Sequence, residues 1–355
     1  MSDEAESLAA RIARRSATLP VLLFATLTAT LLAPLSLPLA LLASLGARYR
    51  GAARTAAFVL CYLWCETAGV AIAFWLWLRH GFAQESTARY GAFLAANYRL
   101  QCGWSNALKR SAEAIFRLTF TVEGDAALDG RGALVLPRHA SMADTIIPMV
   151  FYAIPHRVRL RYVLKRELLL DPCLDIVGHR LPNCFVDRDA DDSAPEIARI
   201  AALANGLDDD EGVLIYPEGT RFSPERRARV LARLEGHVAP TELERMTRWR
   251  DLLPPRLGGA LALLDANPGR DVVFCAHTGF EGATHFASLI GGGWTGAHVR
   301  VRFWRVRYAD VPKTADERRA FLFAAWDAMQ ETVDELRSGE SPWTNRRSTV
   351  TRAPT

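Results

Sequence analysis

The stretch "LPRHASMAD", Leu136 to Asp144, sets His139 five residues ahead of Asp144. A carboxylate on one imidazole nitrogen leaves the other free to take a proton near neutral pH, so the pair could serve as a general base and its partner. On one regular helix the two side chains would stand about 140° apart, at roughly 100° per residue. They meet only if His139 precedes the helix and its ring folds back over the first turn. A second reading needs no chemistry. "SMAD" fits the S/T-x-x-D/E helix start, with Ser141 as N-cap and Asp144 supporting the first turn. Both readings stand on this stretch alone.

A second stretch, "LIYPEGTRFSPERR", Leu214 to Arg227, runs an apolar strand into Glu218, Gly219, Thr220 and Arg221. Glycine allows close backbone approach to a ligand, and arginine offers a planar donor fork suited to phosphate. A tight surface turn closed by a Glu218–Arg221 ion pair is the plainer alternative. Between the two lies "YVLKRELLLDPCLDIVGHRLPNCFVDRDADD", Tyr162 to Asp192, whose two short strands each end in charge. Lys165 and Arg166 follow the first; Asp187, Arg188 and Asp189 follow the second. Singly, such residues read as solvated loop. Together, four successive strand ends deliver His/Asp, Lys, Arg and Glu/Arg to one edge of a sheet, where α/β folds keep their sites.

The elements that must position these residues alternate. Strands are expected at Leu118 to Val122, Ala133 to Leu136, Leu160 to Leu164, Cys184 to Val186, Val213 to Tyr216, Val272 to His277 and His298 to Tyr308. Helical stretches are expected from Met142 and Glu167 and over Ala194 to Asn205, Pro224 to Leu234, Gly258 to Asp265 and Ala315 to Arg337. This is the pattern of an α/β sheet flanked by helices.

The N-terminal part differs from the rest. Ser16 to Ala47 carries no charge and exceeds the roughly 20 residues that cross a bilayer core. Thr55 to Leu78 carries only Glu66, which reads as a neutral or internally paired packing residue. Two membrane-embedded helices are expected, the first either kinked at Pro34 and Pro38 or folded back as a re-entrant hairpin. A cleaved signal peptide does not fit apolar runs of this length. The organisation read from the chain is a tail over 1–15, a membrane-embedded helical region over 16–80, an amphipathic connector over 81–117, a catalytic domain over 118–338 and a loose tail over 339–355. The net charge of +4 points to anionic lipid headgroups as partners, not nucleic acid. The six cysteines and eight histidines show no zinc-like spacing, so no metal is expected.

These residues resemble the 1-acyl-glycerol-3-phosphate acyltransferases and related glycerolipid acyltransferases. His139 and Asp144 match the family's N-H-x-x-x-x-D motif, "FVDRD" at Phe185 to Asp189 its second, and Pro217 to Arg221 its P-E-G-T-R motif, in the family's order. Two departures stand out. Arg138 occupies the place where asparagine is common. The fourth motif, a Val-rich strand ending in proline, has only "VVFCAHTGFEG", Val272 to Gly282, as its counterpart.

The resemblance implies a glycerolipid-acyltransferase-like mixed α/β sheet and transfer of an acyl group from acyl-CoA or acyl-carrier protein, as co-substrate without a cofactor, to the free hydroxyl of lysophosphatidic acid. His139 would act as general base and Asp144 would hold its other ring nitrogen. Lys165, Arg188 and Arg221 would bind the acceptor phosphate, with Glu218, Gly219 and Thr220 completing the substrate site. Another lysophospholipid or a lyso-aminolipid could be the acceptor, and a lipid hydrolase using the same pair on water is a further alternative. The protein would be integral to a membrane, its catalytic domain on the cytosolic face where acyl-CoA is made.

Overall fold

A computed structural model describes residues 6–82, 89–124, 128, 131–187, 194–283 and 286–339. The expected loose tail lies outside the described residues except at Gly339. The chain divides into two compact units. One takes Met1–Leu118, Leu164–Asp187 and His285–Gly296; the other takes Thr119–Val163, Arg188–Thr284 and Ala297–Thr355.

In the first unit, α1 (Leu8–Ala43) runs unbroken through Pro20, Pro34 and Pro38. The re-entrant hairpin is therefore not formed. α2 (Ala52–Arg79) follows after a short 3-10 turn. Both segments are long and apolar enough to cross a membrane. Phe24, Leu27, Leu31 and Leu35 of α1 and Phe74 and Trp75 of α2 stay exposed, as they do on helices that are apolar all round and meet lipid. Small polar groups join the two helices: Thr26 Oγ1 lies 2.9 Å from Thr67 Oγ1, and Trp64 Nε1 donates to Thr30 Oγ1 at 3.0 Å.

The connector expected over 81–117 contains α3 (Tyr90–Phe116), which buries Phe93, Ala96, Tyr98 and Leu100 with Ala73 and Leu76 of α2. Glu66 is buried and accepts from Trp104 Nε1 at 2.7 Å, an internal pairing as the sequence suggested. The catalytic domain expected over 118–338 is not one contiguous unit. Leu164–Asp187 joins the first unit because its polar groups are tied there. Asp171 accepts from Tyr62 Oη at 2.6 Å, Arg180 donates to the Ala73 carbonyl at 2.7 Å, and Asp175 receives Arg14 and Arg15 at 2.9 and 3.0 Å.

The second unit is built on a mixed sheet flanked by helices, as the sequence predicts. Its strands are β1 (Thr119–Glu123), β2 (Leu134–Pro137), β3 (Arg159–Lys165, whose last residues fall in the first unit), β5 (Glu211–Leu214), β6 (Val272–Thr278) and β7 (His298–Val306). β4 (Cys184–Val186) belongs to the first unit. Within the second unit the order is β1-β7-β6-β2-β5-β3. β6 and β7 are antiparallel and the other pairs parallel. β2, β5 and β6 are buried throughout, which is why they read as continuous apolar runs and not as alternating ones.

β2 lies between β5 and β6, parallel to both. Their carboxyl ends therefore emerge side by side, and this places the first motif between the third and the end of β6.

Candidate active site

The chain leaving β2 does not enter the regular helix expected from Met142. It makes a 3-10 turn at Ala143–Ile146 and a π-helical segment at Met149–Ala153 before a single α turn at Ile154–His156. His139 sits before the first turn, so its ring can fold back. Its Nδ1 lies 3.3 Å from Asp144 Oδ2, and the same oxygen accepts the backbone N–H groups of Ala140 and, at 2.5 Å, Ser141. Ser141 Oγ accepts the Ala143 amide at 3.2 Å. Met142, not the expected Ser141, caps this turn, and the carboxylate that ties the turn also faces the imidazole.

The third motif clamps His139 by its main chain. The His139 N–H donates to Glu218 Oε1 at 2.7 Å, and the His139 carbonyl accepts from the Phe222 N–H at 2.7 Å. Tyr216 packs its ring on the imidazole, centroids 4.5 Å apart, and donates its hydroxyl to the Asp144 carbonyl at 2.9 Å. Gly219 turns the chain at φ +71°, a backbone conformation that is strained for any residue bearing a Cβ.

Glu218 has different partners from those the sequence suggested. It is buried and pairs with neither Arg221 nor solvent; its second oxygen accepts the Leu253 N–H at 2.9 Å. The helix Ala315–Ser338 fixes that loop, through Trp326 Nε1 to the Leu253 carbonyl at 3.0 Å and Gln330 Oε1 to the Asp251 N–H at 2.9 Å. Burial pushes the Glu218 carboxyl up to about 8, against the two amides and Arg138, which favour the charged form.

Arg221 is half-buried, and its Nη1 has no hydrogen-bond partner among the described residues. A buried, unpaired guanidinium nitrogen suits an anion that is not part of the protein. Thr220 is half-buried beside it in sequence. Lys165 lies in the other unit, where it pairs with Glu167 at 2.7 Å. Arg188 lies outside the described residues. Of the four expected strand ends, those of β2 and β5 are brought together directly.

Sequence reasoning missed the end of β6. His277 is buried, with Nε2 3.5 Å from Asp144 Oδ1 and 3.2 Å from the Arg138 carbonyl. Arg138, noted only as a departure, is fully buried. Its guanidinium donates to the His277 carbonyl, to Glu281 Oε1 at 2.9 Å and to the Asp251 carbonyl at 3.2 Å. A lone histidine closing an apolar strand was the one available signal.

Electrostatically the dyad is poised. Burial works to raise the Asp144 carboxyl, but His277, His139 and the Ser141 amide outweigh it and hold the group below the usual carboxylate range. Burial pushes the His277 imidazole down, towards the neutral form, although Asp144 and Glu281 pull the other way.

A family model described as Acyltransferase matches residues 119–269. The chain carries an acyltransferase domain. All three motifs fall within the match, in the order read from the sequence. Among solved structures, the acyltransferase matches the 1-acyl-sn-glycerophosphate (LPA) acyltransferase PlsC from Thermotoga maritima, with 16% identity and a TM-score of 0.49, over 82% of this chain and 97% of that one. No curated protein matches its sequence.

Proposed function

We propose that the enzyme transfers a fatty acyl group from acyl-CoA to the free hydroxyl of lysophosphatidic acid, giving phosphatidic acid, with His139 as general base. One observation carries this reading. Asp144 engages Nδ1 of His139, while Nε2 carries no hydrogen bond among the described residues. An imidazole held in this way accepts a proton at Nε2 and has its positive charge stabilised at Nδ1.

A lipid hydroxyl is a poor nucleophile until a base takes its proton. As His139 Nε2 takes it, the oxygen attacks the thioester carbonyl and a tetrahedral intermediate forms. Its collapse breaks the carbon–sulfur bond, and the departing thiolate recovers the proton from the imidazolium. Asp144 stays ionised throughout, since its neighbours hold it below the usual carboxylate range. The buried, unpaired Nη1 of Arg221 supports a phosphate on the acceptor, which would fix the hydroxyl relative to the base. Lys165 and Arg188 are proposed to share that anion.

The two apolar helices suit an enzyme whose acceptor and product are both lipids. The proposed location is integral to a membrane with the catalytic domain on the cytosolic face, where the donor is supplied. Acyl-carrier protein is the other donor consistent with the motifs.

A panel of acceptors with one labelled acyl-CoA tests the reading. Lysophosphatidic acid should be acylated faster than lysophosphatidylcholine or monoacylglycerol. Equal rates on monoacylglycerol would show that no phosphate is recognised, and release of free fatty acid without acylated lipid would show a hydrolase.

A further inference from the structure

The two oxygens of Asp144 are unequally served. Oδ2 takes two backbone amides and faces His139. Oδ1 is buried and makes no hydrogen bond within ordinary limits; the His277 Nε2 nitrogen stands 3.5 Å away. His277 belongs to none of the three motifs and lies beyond the residues the family model matches.

The surroundings fix the ring's protonation. Nε2 faces two acceptors, Asp144 Oδ1 and the Arg138 carbonyl, whereas Nδ1 has no hydrogen-bond partner. A proton on Nδ1 would leave a buried N–H unpaired and turn a lone pair towards two oxygens. A proton on Nε2 donates to the Arg138 carbonyl and turns the positive end of the N–H towards Oδ1, so the neutral Nε2–H tautomer is the one assigned from these contacts. The backbone is fixed as well. Arg138 donates to the His277 carbonyl while its own carbonyl receives the His277 ring, so the residues at the neighbouring ends of β2 and β6 brace each other.

We propose that His277 is a positioning residue: its Nε2–H holds Asp144 through Oδ1, which fixes the carboxylate so that Oδ2 meets His139 Nδ1. The inference rests on the reading of His139 as the base and adds to the dyad a third group behind it. Arg138, in the place of the family's common asparagine, is what holds that group against β2.

The test compares three variants of the full chain in detergent, with lysophosphatidic acid and acyl-CoA as substrates. Glutamine carries its side-chain N–H close to the position of ring Nε2; asparagine reaches only that of Nδ1. His277→Gln is expected to keep kcat within about threefold of the parent, and His277→Asn and His277→Leu to lose about ten- to a hundredfold. KM for both substrates should move by less than about twofold, because the loss lies in the transition state. Melting curves identify the folded variants, and the Gln and Asn pair keeps the comparison polar should the leucine variant not fold.

The pH profile supplies a readout that packing alone would not move. His277 is faced by Arg138 from the end of β2, Asp144 from the following turn and Glu281 from its own segment. With the carboxylate no longer fixed, Oδ2 meets His139 less well and the imidazolium is less stabilised. The acid limb of kcat/KM in His277→Asn should therefore move to lower pH. Parental kcat and an unmoved limb in both His277→Asn and His277→Leu, with His139→Ala inactive, would overturn the role of His277 alone. Equal losses in folded His277→Gln and His277→Asn would overturn it too. Parental kcat in His139→Ala would overturn the base and its support together.

Discussion

The backbone N–H of His139 donates to Glu218 Oε1 at 2.7 Å, so the third motif holds the first by its main chain. The carboxyl group's other oxygen takes the Leu253 N–H, so both oxygens are tied to backbone amides. Glu218→Gln must turn an amide NH2 towards one of two backbone N–H groups, and should cost about 1–3 kcal/mol together with a loss of turnover as His139 shifts. The pH dependence follows from the raised carboxyl. A group lifted from 4.5 to about 8 on folding stabilises fully below about 4.5, and that contribution is lost as pH rises through about 8. Melting temperatures of parent and Glu218→Gln should therefore converge as pH is raised across that window. Parallel curves would show that Glu218 is not protonated more tightly in the folded protein.

Asp144→Asn keeps a polar side chain at the turn but presents a neutral group to the imidazole. Turnover should fall by at least about a hundredfold, because the charge that stabilises the imidazolium is gone. Full activity at parental stability would mean that Asp144 serves only the turn.

Arg138→Asn installs the residue common in the family. It removes a fully buried guanidinium bonded to Glu281 and to the carbonyls of Asp251 and His277. Breaking such a pair should destabilise by roughly 3 kcal/mol, Glu281 being partly exposed and able to rehydrate. Thermal melting checks this, and an unchanged midpoint would show that the network adds nothing to stability.

Arg221→Lys keeps the charge and removes the planar fork. The KM for lysophosphatidic acid should rise more than that for acyl-CoA, since only the acceptor is proposed to place its phosphate on this group. Equal rises would assign Arg221 to another task.

Much of this was legible in the sequence because parallel strands buried on both faces write themselves as apolar runs. β2, β5 and β6 could be read in this way, and with them the emergence of His139 and Glu218 at neighbouring ends. Two things were not legible. Glu218 looks like a ligand residue in P-E-G-T-R, but its partners are backbone amides from Leu253 and His139, contacts that no pattern of residue types encodes. His277 was hidden because its role depends on strand order: only the placing of β6 beside β2 brings a histidine from late in the chain behind Asp144. The first apolar run illustrates a third limit. Its prolines allowed either a kinked span or a hairpin, and the helix continues through Pro34 and Pro38 to Ala43.

The proposed chemistry turns on the proton taken at His139 Nε2. Incubating labelled acyl-CoA with lysophosphatidic acid and resolving the lipids should show phosphatidic acid formed by the parent and at least about a hundredfold less by folded His139→Ala. Near-parental phosphatidic acid from His139→Ala would contradict the general-base role outright.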